Sequence, residues 1–159
     1  MIRLVWDTSA ILNIKEPNSE GYSPGHSLYE DFNQGCIEGP YEFIFPTLSM
    51  FEVAASVSRI HRDGGKMLRE FWILNEHSRL REIDESLVRS TYEVMAESGF
   101  DRLRGADLVF ACIAYIEKAT LVTLDKSFAM YVGDRIDVLD LNESRDSPIY
   151  QEHFNNRKV

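Results

Sequence analysis

Ile2-Arg3-Leu4-Val5-Trp6-Asp7-Thr8-Ser9-Ala10 and Thr120-Leu121-Val122-Thr123-Leu124-Asp125-Lys126-Ser127-Phe128 follow one plan. Each opens with a short apolar, β-branched run, which reads as a strand. Each run ends one residue before an aspartate. A helix then starts, through Ala10, Ile11, Leu12 and Ile14 in the first case and from Asp125 to Tyr131 in the second. Strands that hand over to helices in this way build a parallel sheet.

The residues between extend the pattern. Tyr41 to Phe45 reads as a strand closed by Pro46, and Thr47 as the cap of a helix whose Leu48, Phe51, Ala55 and Ile60 recur at helical spacing. Asp63-Gly64-Gly65 breaks that helix. Lys66 to Glu76 resumes it, with Leu68, Phe71, Trp72 and Leu74 on one side, so two antiparallel helices are expected. Leu80 to Ile83 reads as a strand, and Glu85 to Glu97 as an amphipathic helix ended by Gly99. Ala106 to Glu117 is apolar nearly all round and reads as a buried helix, and Ile136 to Leu139 as a last strand. Pro17 to Pro40 is rich in Gly, Pro, Ser and Asn and reads as loop, with a helical turn at His26 to Phe32. The expected fold class is α/β, a short parallel central sheet flanked by helices in three layers. The 159 residues fit one domain, placed at 1–140, followed by a polar tail at 141–159.

Composition narrows the function. A hydrophobic fraction of 44% fills a core and excludes global disorder. The net charge of -9 counts against a plain nucleic-acid-binding module, which leans on Lys and Arg at phosphates. It counts less against an enzyme whose acidic pocket is filled by metal. Cys36 and Cys112 make neither a disulfide framework nor a zinc site, and the four histidines (His26, His61, His77 and His153) lack the spacing for one. Trp6 and Trp72 read as core. No signal peptide and no membrane span is expected, which gives a soluble, cytoplasmic protein.

Four carboxylates stand out. Ligands of parallel sheets bind beyond the carboxyl ends of the strands. If the first and fourth runs are neighbours, Asp7 and Asp125 look into one crevice. Asp107 lies in the first turn of the buried helix, and Glu52 sits in an apolar stretch. Each has an ordinary reading beside the functional one. Asp7 and Asp125 fit helix caps, Asp107 a first-turn acid favoured by the helix dipole, and Glu52 a solvated face. Only the functional reading covers all four together, with Thr8, Ser9 and Thr123 beside them to orient the acids or hold water. Four carboxylates repel one another, and a hard cation removes the repulsion; oxygen ligands suit Mg²⁺ or Mn²⁺ rather than zinc.

In order along the chain, Val5-Trp6-Asp7-Thr8-Ser9-Ala10, Pro46-Thr47-Leu48-Ser49-Met50-Phe51-Glu52, Arg104-Gly105-Ala106-Asp107-Leu108-Val109-Phe110-Ala111 and Leu121-Val122-Thr123-Leu124-Asp125-Lys126-Ser127-Phe128 resemble the signature of the PIN-domain nucleases. The nearest likeness is the VapC-type toxins of toxin–antitoxin pairs. The resemblance implies a PIN-like three-layer fold and hydrolysis of RNA phosphodiester bonds by an endoribonuclease dependent on Mg²⁺ or Mn²⁺. It implies Asp7, Glu52, Asp107 and Asp125 as catalytic residues, with Asp7, Asp107 and Asp125 as metal ligands. Glu52 would complete the pocket through water or by accepting a proton, and Thr8, Ser9 and Thr123 would support the acids. It also implies a homodimer and a small antitoxin as partner. Arg104 reads first as a surface arginine, with contact to substrate phosphate as the alternative. An RNA-maturation nuclease and a catalytically silent PIN-fold binding protein are the rival readings. A phospho-receiver domain is set aside, because Asp7 is followed by Thr8-Ser9 and no lysine lies in the Ile136–Leu139 run.

Overall fold

The computed structural model describes residues 1–16, 23–61 and 73–142. Its elements are β1 (Ile2–Trp6), α1 (Thr8–Lys15), α2 (Pro24–Asn33), β2 (Tyr41–Pro46), α3 (Thr47–Ile60), β3 (Ser78–Arg81), α4 (Glu85–Val94), a 3-10 turn (Phe100–Arg102), α5 (Gly105–Glu117), β4 (Thr120–Thr123), α6 (Ser127–Val132) and β5 (Val138–Asp140). The five strands form one parallel sheet in the order β3-β2-β1-β4-β5. The chain steps outward from β1 to β3, then crosses to the other side of β1 for β4 and β5. The reversal falls between β1 and β4, where a parallel sheet opens a crevice for ligands.

Alternation along the strands splits the core in two. Leu4, Trp6, Phe43, Phe45, Val122 and Leu139 face one cluster, where Ala10, Ile11, Leu28, Val53 and Val57 meet them. Val5, Ile44, Leu121 and Val138 face the other, against Leu87, Phe110, Ala111, Phe128 and Val132. So α1, α2 and α3 cover one face and α4, α5 and α6 the other, the expected three layers. Trp6 is wholly buried and meets Phe43 edge-on, ring centroids 5.4 Å apart. Burying each such side chain contributes about 1.5–3 kcal/mol. The residue before Asp7 is therefore fixed by the core.

Several expectations needed correction. The turn expected at His26–Phe32 is a ten-residue helix. Its Pro24 and Gly25, which read as loop residues, have other uses. Proline suits the first helical position, where its missing N–H costs nothing. Gly25 donates its amide to Asn13 Oδ1 at 2.7 Å, and a Cβ there would lie 2.9 Å from the Ala10 carbonyl oxygen, so α2 packs tightly on α1.

The residue capping α3 is Pro46, not Thr47; the Thr47 hydroxyl donates to the Arg81 carbonyl at 3.4 Å instead, tying α3 to the end of β3. Its buried face is Ser49, Val53 and Val57, while Phe51, Ala55 and Ile60 are exposed. Ser49 disguised that face by its polarity, but its hydroxyl donates to the Trp6 carbonyl at 3.4 Å. Most of the expected Lys66–Glu76 helix lies outside the described residues, and residues 73–76 are not helical. β3 begins two residues earlier than expected, set by pairing of Ser78 with Phe43. α4 ends at Val94, so Gly99 is not its cap. Gly99 has φ of +95°, and a Cβ there would sit 1.8 Å from the Tyr131 carbonyl oxygen. Among the described residues no helix is long and apolar enough to cross a membrane.

Candidate active site

Because β1 and β4 are paired, with Trp6 opposite Val122, their carboxyl ends release Asp7 and Asp125 side by side. The Asp7 amide donates to the Val122 carbonyl at 3.1 Å, fixing the exit from β1 against β4. Asp107 comes from the first turn of α5, and Glu52 from the second turn of α3. Thus four elements each bring one carboxylate to the switch point. Asp7, Glu52, Asp107 and Asp125 line one pocket of about 240 Å³ with Thr8, Ser9, Leu12 and Phe110. A larger hollow, about 450 Å³, lies at the far end of the sheet between Tyr115, Lys118 and Asp134–Asp137. Its charges are mixed, so chemistry rather than volume singles out the smaller one.

Asp7 is 4% exposed, and each of its oxygens is engaged. Oδ1 accepts from the Ala10 amide at 2.8 Å and from the Ser9 hydroxyl at 2.7 Å, and Oδ2 accepts from the Thr123 hydroxyl at 2.5 Å. Asp7 is therefore the amino cap of α1 and also lines the acidic pocket. Burial pushes its carboxyl from 3.8 up to about 6, against the downward pull of the bonds from Thr123, Ala10 and Ser9, and the Asp107 charge adds to the rise. Asp107 is also raised, first by burial and then by the charges of Asp125 and Glu52.

The hydroxyl residues beside the acids each hold one in place. Thr8 donates to Glu52 Oε1 at 2.9 Å, which links α1 to α3. Ser9 donates to Asp7 and accepts from the Leu124 amide at 3.0 Å. Thr123, wholly buried, donates to Asp7 and accepts from the Asp125 amide at 2.9 Å. Asp125 Oδ1 takes the Ser127 amide at 2.8 Å, which closes the turn into α6.

Replacing Thr123 with valine keeps the shape and removes both bonds, leaving a buried Asp7 oxygen with one donor fewer. Thr123→Val is expected to cost about 1–3 kcal/mol of unfolding free energy. A urea midpoint equal to that of the parent would show that the hydroxyl holds nothing.

Asn142 was missed by the sequence reading, which saw only the start of a polar tail. Its side-chain amide donates to the Leu124 carbonyl at 2.7 Å and to Asp140 Oδ1 at 2.6 Å, bracing the loop that carries Asp125. The available signal was Asp140-Leu141-Asn142 directly after a strand, the spacing that Asp125 and Ser127 also show.

The donor set is all oxygen, which suits Mg²⁺ or Mn²⁺. Among the described residues no three acids, histidines or cysteines stand close enough to be a ready-made metal cage. The acids nevertheless feel one another's charge, Asp107 from Asp125 and Glu52, and Asp7 from Asp107. Carboxylates in that relation fit a cation that draws them together.

A parallel α/β domain with an acidic pocket at its switch point defines a class of site suited to hydrolysis assisted by a hard cation. The chain belongs to the PIN-domain family, whose model matches residues 4–133. Among solved structures it is similar to VapBC2 from Rickettsia felis, bound there to a DNA fragment from the promoter: TM-score 0.63, 14% identity, 87% of this chain and 98% of that one. It is similar to VapBC-1 of nontypeable Haemophilus influenzae: TM-score 0.63, 12% identity, 89% and 100% covered. It is also similar to VapC20 of Mycobacterium tuberculosis, described as a toxin that cleaves the Sarcin-Ricin loop: TM-score 0.55, 13% identity, 80% and 93% covered. At these identities the likeness is one of fold. The sequence finds no match among curated proteins.

Proposed function

We propose that the chain is a metal-dependent endoribonuclease and the toxin of a toxin–antitoxin pair. The observation that carries the reading is the meeting of four carboxylates, from four separate elements, in one pocket of a PIN domain. Asp7, Asp107 and Asp125 would hold the cation. When bound, Mg²⁺ or Mn²⁺ supplies an activated water and stabilises charge on the phosphate oxygens. Thr123 and Ser9 fix the rotamer of Asp7, and Thr8 fixes that of Glu52. With Oε1 held by Thr8, Glu52 would accept a proton through Oε2.

The toxin reading is supported by the VapBC assemblies that share the fold. Exposed Phe51 and Ile60 on α3, and Val88 and Tyr92 on α4, offer apolar surface for an antitoxin or a second copy. The test is cleavage of a mixed, structured RNA pool with Mn²⁺ and with EDTA. Cleavage that EDTA abolishes is expected, and sequencing the new ends would give the target. Cleavage that persists in EDTA would overturn the metal-dependent reading.

A further inference from the structure

A chain of net charge -9 with an acidic pocket repels a polyanion, so RNA can settle there only if cations stand beside the acids. Among the described residues most arginines are engaged internally. Arg3 and Arg79 pair with Glu42, Arg79 and Arg81 with Glu117, Arg89 with Glu85, and Arg135 with Glu97. Arg102 lies over the Tyr131 ring. Lys15, Arg59 and Lys118 have no ion pair among the described residues, but they stand in the last turn or carboxyl cap of α1, α3 and α5. The helix dipole accounts for a cation there. These three helices all start at the pocket end of the sheet, so their last turns lie at the far end.

Arg104 and Lys126 have no such account. Both are exposed, and neither side chain makes a hydrogen bond or ion pair among the described residues. Arg104 is the amino cap of α5 and Lys126 that of α6, and neither supplies a capping bond. That position favours Ser, Thr, Asp or Asn, and the positive end of the α5 dipole repels a cation. Local stability therefore disfavours what the sequence has in both places, and such departures concentrate at functional sites. Along the backbone, each of the two residues is also close to a pocket acid. The Arg104 carbonyl accepts the Asp107 amide at 3.2 Å, and Lys126 directly follows Asp125.

Resting on the nuclease reading above, we infer that Arg104 and Lys126 bind backbone phosphates of the RNA strand that enters the pocket. They act as exposed point charges, so they hold any sequence and leave base choice to other groups.

The experiment measures binding of a short fluorescent single-stranded RNA in the Asp7→Asn background, which leaves the RNA intact, across a range of salt. Each phosphate contact on a single strand adds about 0.7 to the slope of log affinity against log salt. Arg104→Gln and Lys126→Gln are each expected to lower the slope by that amount, and Lys118→Gln to leave it unchanged. The melting temperature should hold or rise in the first two variants, since a cation leaves an amino cap. A fall would mark a structural role and overturn the proposal. An unchanged slope in a protein that binds RNA overturns it too and leaves the nuclease reading standing. No RNA binding by the Asp7→Asn protein also overturns it, and the EDTA-controlled cleavage assay then decides the nuclease reading separately.

Discussion

Asp7→Asn is expected to lower RNA cleavage by on the order of 10³-fold, about 4 kcal/mol of transition-state stabilisation, without unfolding the protein. The activity is lost because a neutral amide cannot share the charge of a divalent cation, and Asp7 sits deepest of the four acids, 4% exposed. The fold is kept because the amide oxygen can still accept from Ala10, so α1 keeps its cap. Thr123 already accepts from the Asp125 amide, and its hydroxyl can turn to accept from the new NH₂ group as well. The variant also escapes the burial cost that raises the native carboxyl to about 6. Above that pH the metal-free variant should melt no lower than the parent. Loss of cleavage at an undiminished melting temperature separates chemistry from folding. Cleavage within tenfold of the parent would remove Asp7 from the mechanism.

Where the sequence reading succeeded, local chemistry and tertiary placement agreed. Val5 and Trp6 are apolar because the strand is buried on both faces, and Asp7 must follow them because the strand ends there. Leu121 and Val122 are apolar for the same reason, but β4 ends at Thr123, so Asp125 lies two residues past its end and not one. Pairing of the two strands, which the sequence left as a condition, is what puts the acids together at the carboxyl ends. The reading failed where a residue's use depended on something remote. Ser49 faces the core because the Trp6 carbonyl accepts its hydroxyl, and no periodicity announces that. Phe51 and Ile60, both exposed, therefore drew the helix face to the wrong side. Gly25 looked like a loop residue because the close approach of α1, which requires glycine, lies 12 positions away. For the acids, a capping bond does not exclude a place in the pocket, since in Asp7 one oxygen caps α1 and the group lines the pocket as well.

Millimolar Mg²⁺ or Mn²⁺ is expected to raise the melting temperature, strongly at pH 8 and little at pH 5. Asp7 titrates near 3.8 when unfolded and at about 6 when folded. Below 3.8 both states hold the proton, and the native state has its full stability. As pH climbs, the unfolded chain releases the proton first, and stability falls until the folded carboxyl ionises near 6. The gap corresponds to about 3 kcal/mol lost by the metal-free protein over that window. Asp107 is raised too and adds to the loss in the same direction. A cation competes with the proton for these oxygens, so it restores stability only where they are ionised. At 100 times its dissociation constant it contributes about 2.7 kcal/mol, or roughly 5–10 °C for a domain of this size. Asp7→Asn should flatten both the pH dependence and the response to metal, which ties the effect to this pocket. No rise at pH 8 with Mg²⁺, Mn²⁺ or Ca²⁺ would mean that the four acids do not gather around a cation, and the nuclease reading would lose its chemistry.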